Sequence, residues 1–157
     1  MKILLLLTGK TNHPLFGEIE EEYRKRLKHY IQLDQTVIPE LKNTKNLTKE
    51  EQKDKEGELI LKQLDPNDEI ILLDEKGKTF SSVQFANEID KRMQSSVKRL
   101  VFVVGGPYGF SEAVYKRANS LFSLSAMTFS HQMVRMIFLE QLYRAMTILR
   151  GEPYHHE

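Results

Sequence analysis

The sequence predicts an α/β fold, a mostly parallel sheet with helices on both faces. Three observations carry that reading. Residues 3–7, 69–73 and 100–104 are short apolar runs rather than alternating patterns, as expected of strands buried on both sides. Between them lie segments whose apolar residues recur at helical spacing, so strand and helix alternate along the chain. No internal repeat or low-complexity tract breaks the alternation. A chain of 157 residues is about one domain. It can bury roughly 68–70% of its unfolded surface.

Residues 3–7 form the first buried strand, closed by Thr8-Gly9-Lys10. Asn12-His13-Pro14 opens a helix, with Pro14 in its first turn. Leu15, Ile19, Tyr23, Leu27 and Tyr30 recur on one face of that helix. Its acids (Glu18, Glu20, Glu21, Glu22) precede its bases (Arg24, Lys25, Arg26, Lys28), which complements the helix dipole. Residues 35–38 read as a second strand, ended by Pro39. Thr48-Lys49-Glu50-Glu51 is a capping box. The helix behind it runs to Leu64. Its charged first half is expected in solvent, with only Leu59, Ile60, Leu61 and Leu64 packed.

Asp65-Pro66-Asn67-Asp68 is a turn. Residues 69–73 are a third strand with Asp74 at its carboxyl end, and Lys76-Gly77-Lys78 is expected to turn the chain. A helix from about Ser82 buries Val83, Phe85, Ala86, Ile89 and Met93. Residues 100–104 are the clearest strand, β-branched or aromatic almost throughout. They run into Gly105-Gly106-Pro107-Tyr108-Gly109-Phe110. Ser111 caps the next helix, with Glu112 in its first turn.

Residues 121–129 alternate large apolar side chains with Ser, Ala and Thr. That suits a short strand entering a loop of small residues, where main chain can approach a ligand. Residues 131–150 form a helix apolar on most sides. Such a helix must be buried, and one domain of this size covers one face of a terminal helix more easily than all of them. A homodimer interface is therefore expected on it. The tail follows, Glu152-Pro153-Tyr154-His155-His156-Glu157.

The bulk numbers exclude several classes. No apolar run approaches the length of a membrane span, and residues 4–7 are too short for a leader. Without cysteine there is no disulfide, thiolate catalysis or zinc ribbon, which fits a reducing cytoplasm. Net charge is +1, so no global basicity announces nucleic acid. Residues 1–80 hold 14 basic against 16 acidic side chains, and residues 81–157 hold 9 against 6. An anionic partner would dock on the second half.

Ligands of open α/β sheets bind beyond the carboxyl ends of strands. Three such ends are candidates: Leu73-Asp74, Val104-Gly105-Gly106, and Ser125-Ala126-Met127-Thr128. The glycine loop has neither dinucleotide-binding spacing nor the Gly-Lys-Ser/Thr of a phosphate loop. An uncharged nucleoside-like group held by main chain and apolar walls fits better. His155-His156 has no companion ligands for a metal, so a general base or hydrogen-bonding role is expected of it. Arg135, Glu140 and Arg144 interrupt the last helix. Glu140 and Arg144 stand four apart and can pair. The two arginines suit an anionic substrate at a dimer seam.

On these residues the chain resembles a bacterial family, the small RlmH-type pseudouridine methyltransferases of the SPOUT superfamily. The likeness runs from the opening strand through Asp54-Lys55-Glu56-Gly57-Glu58 and Gly105-Gly106-Pro107-x-Gly109. It continues in residues 124–129, His131, Val134-Arg135, Glu140-x-Leu142-Tyr143-Arg144-Ala145 and Pro153-Tyr154-His155. The resemblance implies a single SPOUT domain over residues 1–157, with a trefoil knot and dimerisation region at about 100–150 and a tail at 151–157. It implies S-adenosylmethionine as cofactor, its adenosine contacted by Leu73, Gly105, Leu124, Ser125, Ala126, Met127, Thr128 and Phe129. It implies as acceptor N3 of the pseudouridine at position 1915, helix 69 of 23S rRNA, on the assembled ribosome. His155 is then expected as general base, positioned by Tyr154, over the partner subunit's cofactor. Arg135, Arg144 and His156 are expected on the RNA. The rival is a non-catalytic ribosome-binding or assembly factor with the same fold, which would give no heat with S-adenosylmethionine. A flavodoxin-like module is disfavoured, since the first strand lacks a Ser/Thr-rich phosphate loop.

Overall fold

Five strands form one parallel sheet in the order β2-β1-β4-β3-β5. They are β1 (Lys2–Thr8), β2 (Leu33–Ile38), β3 (Glu69–Thr79), β4 (Arg99–Val104) and β5 (Ser120–Ser123). The helices are α1 (Pro14–Leu27), α2 (Lys49–Leu61), α3 (Ser82–Gln94), α4 (Glu112–Arg117) and α5 (His131–Leu149). The computed structural model describes residues 1–156, so Glu157 of the tail lies outside the described residues. Among those residues no helix is long and apolar enough to cross a membrane.

The apolar runs fold as expected because β1, β4 and the first half of β3 bury both faces. Ile3, Leu5, Leu7, Leu100, Phe102 and Val104 point toward α1, α3 and α5. Leu4, Leu6, Ile70, Leu72, Val101 and Val103 point toward α2 and α4. Each such side chain contributes about 1.5–3 kcal/mol by leaving water. Helix starts follow the sequence signals. Pro14 opens α1, Thr48 and Glu51 close the expected capping box, and Ser81 with Gln84 forms a second one. Ser111 and Ser130 cap α4 and α5.

Four expectations are corrected. β3 does not end at Leu73. Phe122 pairs with Leu73 and again with Lys78, across an irregularity at residues 74–77. Gly77 lies on the Leu121–Phe122 main chain, where a Cβ would come within 2.5 Å of Phe122 N. Glycine is thus a requirement of close approach there, not of a simple turn. The charged half of α2 is not all in solvent, since Glu56 is buried beneath Gly106. Leu15 and Ile19 of α1 are 60% and 37% exposed, so the apolar face of that helix is only partly used. Met93, expected in the core from α3, is also exposed.

α5 lies across one face of the sheet, packed against both α1 and α3. Phe138, Leu139, Leu142, Ala145 and Met146 seat it in the core. Met133, Met136 and Ile137 stay half-exposed outside that core. One copy of the chain thus leaves an apolar stripe of α5 incompletely covered.

Candidate active site

The carboxyl ends of β3, β4 and β5 converge on one cavity of about 360 Å³. Its walls are Leu73, Val104, Phe110, Leu124, Phe129 and Val134, with Asp74 and Glu75 at the end of the regular part of β3. Its main-chain edges are the loop from Gly105 to Gly109 and the small-residue segment after β5. That volume falls within the range of small-ligand sites, and the mixture of apolar walls with few polar groups is typical of them. Gly105 leaves space that a side chain would take, since its Cβ would stand 3.0 Å from the Phe110 ring. The segment after β5 is locally braced. Ser123 Oγ donates to Ser125 O at 2.8 Å, and Ser125 Oγ accepts from Met127 N–H at 2.9 Å.

The structure brings together Leu73, Gly105, Leu124, Ser125, Met127, Thr128 and Phe129 around this cavity. Ala126 is in the same loop but does not line it. Asp74, at one of the expected strand ends, lines the cavity too, whereas sequence reasoning missed Glu75, Ser130, His131 and Val134 as pocket residues. A signal was present for the last three: Ser130 caps α5 directly after the small-residue loop, so the first turn of that helix had to border the cavity. Asp74 is fixed by two donors, the Tyr115 hydroxyl on Oδ2 and Lys76 N–H on Oδ1 at 2.8 Å. Burial and that carboxylate push the Tyr115 phenol well above its usual range.

Arg135 is not placed for RNA. It is fully buried. It donates to Thr8 O at 2.7 Å and to Thr11 Oγ1 at 3.0 Å. Thr11 in turn donates to buried Glu20 at 2.7 Å. Gln132 Oε1 accepts from Asn12 N–H at 3.0 Å. Arg135 therefore ties the loop after β1 to the first turns of α5. A long side chain at the second turn of the last helix looked substrate-facing in the sequence. Nothing there revealed that the loop after β1 covers it. Burial holds the Glu20 carboxyl above its ordinary range and depresses the Arg135 guanidinium.

A second constellation sits farther along α5. Arg144 pairs with Glu140 as the spacing predicts, Nε to Oε1 at 3.0 Å. Its guanidinium lies 4.7 Å from the Tyr154 ring centroid. Tyr154 bonds through its hydroxyl to Glu140 at 3.1 Å and to the Tyr23 hydroxyl at 3.2 Å. Burial raises the Tyr154 phenol above its usual range, helped by the Tyr23 bond. His155 Nδ1 stands 3.4 Å from Arg144 Nη1. Arginine only donates, so Nδ1 is the acceptor and Nε2 carries the hydrogen. His155 does not reach the cavity of its own copy, where the base role expected of it lies over the partner subunit's cofactor. His156 is exposed. Among the described residues no tail side chain lines the cavity, and roughly 20 Å of helix rise separates His131 from Arg144.

A parallel α/β sheet with a nucleoside-sized cleft at its carboxyl edge, formed by a glycine loop and a small-residue loop, defines a cofactor-binding α/β protein. Comparison with known proteins makes the class specific. Residues 1–155 match the family described as predicted SPOUT methyltransferase, and the chain belongs to that family. It is 62% identical over 157 residues, all of both chains, to the ribosomal RNA large subunit methyltransferase H of Parabacteroides distasonis. It is 59% identical, over the same full span, to the protein of that name from Flavobacterium johnsoniae. Among solved structures it resembles a Legionella pneumophila protein in complex with S-adenosylmethionine. There the TM-score is 0.50 at 13% identity, covering 92% of this chain and 66% of that one.

Proposed function

We propose that two copies of this chain form a cytoplasmic enzyme that moves a methyl group from S-adenosylmethionine to N3 of the helix 69 pseudouridine of 23S rRNA on the assembled ribosome. The cofactor fits the cavity. Apolar walls and main-chain edges at Leu73, Gly105 and residues 124–129 suit an adenosine, and Gly105 leaves space where a side chain would intrude. The charged side chains lining the cavity are Asp74 and Glu75, both acidic, which suits a ligand of net positive charge. When bound, the cofactor supplies a methyl group activated on a sulfonium. The chain supplies alignment and water exclusion, effects that can be worth several kcal/mol.

The observation that carries the two-copy reading is the separation of pocket from tail. The expected catalytic residues Tyr154 and His155 and the expected substrate residues Arg144 and His156 stand clear of their own cavity, and the stripe Met133-Met136-Ile137 between the two regions is incompletely covered. Pairing through that stripe would bring one copy's tail to its partner's cavity. Tyr154 and the His155 Nε2–H would then face the RNA, with Arg144 holding phosphate or carbonyl oxygen. The knotted path through the closing third of the chain rests on membership of the family. The rRNA acceptor rests on the relatives named above.

The test uses ribosomes from cells that lack the modification, labelled cofactor and mapping of the product. Label is expected at one pseudouridine of helix 69, with far less on protein-free 23S rRNA. Label on another nucleotide, or equal label on free rRNA, contradicts the proposal.

A further inference from the structure

Methylating a nitrogen that carries hydrogen requires somewhere for the proton to go. We propose that His131 takes it. This inference rests on the methyl-transfer reading above and assigns a residue to a step which that reading left open.

His131 is the first residue of α5 and lines the cavity together with the Gly105–Gly106 main chain. The other titratable groups nearby are less well placed, being hydrogen-bonded, solvent-exposed or set behind the cavity wall. Asp74 has both oxygens engaged by Tyr115 and Lys76. Glu75 is exposed, with Thr128 Oγ1 at 3.5 Å. Glu56 lies behind Gly106, bound by Gln52 at 3.0 Å, and does not line the cavity. The tail's His155 has its accepting nitrogen turned to Arg144.

The surroundings of His131 keep its ring neutral, which a proton acceptor must be before it acts. It is half-buried at a helix N-terminus, where a positive charge is disfavoured. Arg135 stands four residues on, and its anchors on Thr8 and Thr11 prevent that charge from moving away. Glu40 opposes this from the segment after β2, and Asp74 and Glu75 do so from the far wall. Burial and then Arg135 outweigh Glu40 and lower the His131 pKa below its ordinary value.

In the step, the acceptor nitrogen forms its bond to the methyl carbon as the sulfur–methyl bond breaks. The pair of that broken bond stays on sulfur, leaving a neutral thioether. The nitrogen's proton passes to the bare ring nitrogen of His131, and the imidazolium later releases it to water. A weak base suffices, because a nitrogen that has gained a methyl while keeping its proton is strongly acidic.

The test compares wild type, His131→Ala and His131→Asn on ribosomes lacking the mark, under single-turnover conditions from about pH 5 to 9. Cofactor binding is followed by calorimetry, and His131 is titrated by NMR in the free protein. Cofactor affinity is expected within about threefold of wild type, with transfer slowed about a hundredfold or more. Added imidazole should restore part of the His131→Ala rate. The wild-type rate should be lost as pH falls through the His131 midpoint, which lies below the ordinary histidine value. Full turnover in both variants, or an NMR midpoint at or above the ordinary value, overturns the assignment. So does loss of cofactor binding in step with turnover, which would make His131 a structural residue. No transfer by wild type would instead sink the methyltransferase reading, while the NMR titration would still judge the neutrality of His131.

Discussion

The two regions of α5 make different kinds of site from one helix. Its first turn borders a cleft of glycine, serine and apolar walls, with one buried cation fixed behind it. Farther along, the helix carries exposed and half-buried aromatics and charges: Tyr143, Glu140 and Arg144, joined by Tyr23, Tyr30, Glu152 and the tail. The first region is shaped for a small ligand held by main chain. The second presents donors and rings to a larger polar partner. Neither contains what the other supplies, and the proposed working centre draws one region from each of two copies.

The largest expected effects come from breaking the first region's supports. Gly77→Ala would drive a Cβ into the Leu121–Phe122 main chain, which cannot move aside as a side chain can. A loss of about 3 kcal/mol or outright failure to fold is expected from such overpacking, read as the denaturation midpoint in urea. Arg135→Met should cost a similar amount, about 3 kcal/mol, by leaving Thr8 O and the Thr11–Glu20 pair without their buried donor. If Arg135 instead served RNA, this variant would keep its midpoint and lose only ribosome binding.

The second region should respond in the opposite way. Tyr154→Phe removes a hydroxyl shared with Tyr23 and Glu140. Stability should fall by only about 1 kcal/mol and cofactor affinity should hold, while turnover on ribosomes drops at least tenfold. Equal loss of cofactor affinity would merge the two regions and remove the contrast.

A smaller effect sharpens the account of Glu56. Burial raises its folded pKa above the unfolded value. The folded state then holds the extra proton, so the contribution of this group to stability is greatest below the unfolded pKa. It is lost as pH rises through the folded pKa. Glu56→Gln should therefore match wild type in Tm near pH 4 and exceed it by a few degrees near pH 8, an effect of about 1 kcal/mol. The smallest change is Gly17→Ala. Nothing stands within 4 Å of its Cβ position inside α1, so a gain of about 0.5–1 kcal/mol is expected.

Much of this was legible in residues. Apolar runs located the strands because a parallel sheet buries both faces. Thr48 and Ser111 located helix starts because caps satisfy orphan donors, and Pro14 because it brings no N–H to be left unpaired in a first turn. The pocket loops were legible because small residues after a strand leave main chain open. Long-range placement was not. Arg135 looked like a substrate ligand until the loop after β1 was seen to enclose it. Lys76-Gly77-Lys78 looked like a turn until β5 was found lying against it. His131 was marked only by its place directly after the small-residue loop, and its importance comes from three strand ends meeting around it. The helix 69 acceptor and the knot came only from resemblance to the family.

One measurement tests the central claim most directly. Copies carrying Gly105→Val, with a blocked cavity, would be mixed with copies carrying Tyr154→Ala and His155→Ala, then unfolded and refolded together. Each variant alone should be inactive on ribosomes. Random pairing should restore about a quarter of the wild-type turnover, because half of the dimers hold one intact composite centre. A mixture as dead as its parents would show that each copy serves its own cavity, and the division of labour along α5 would be wrong.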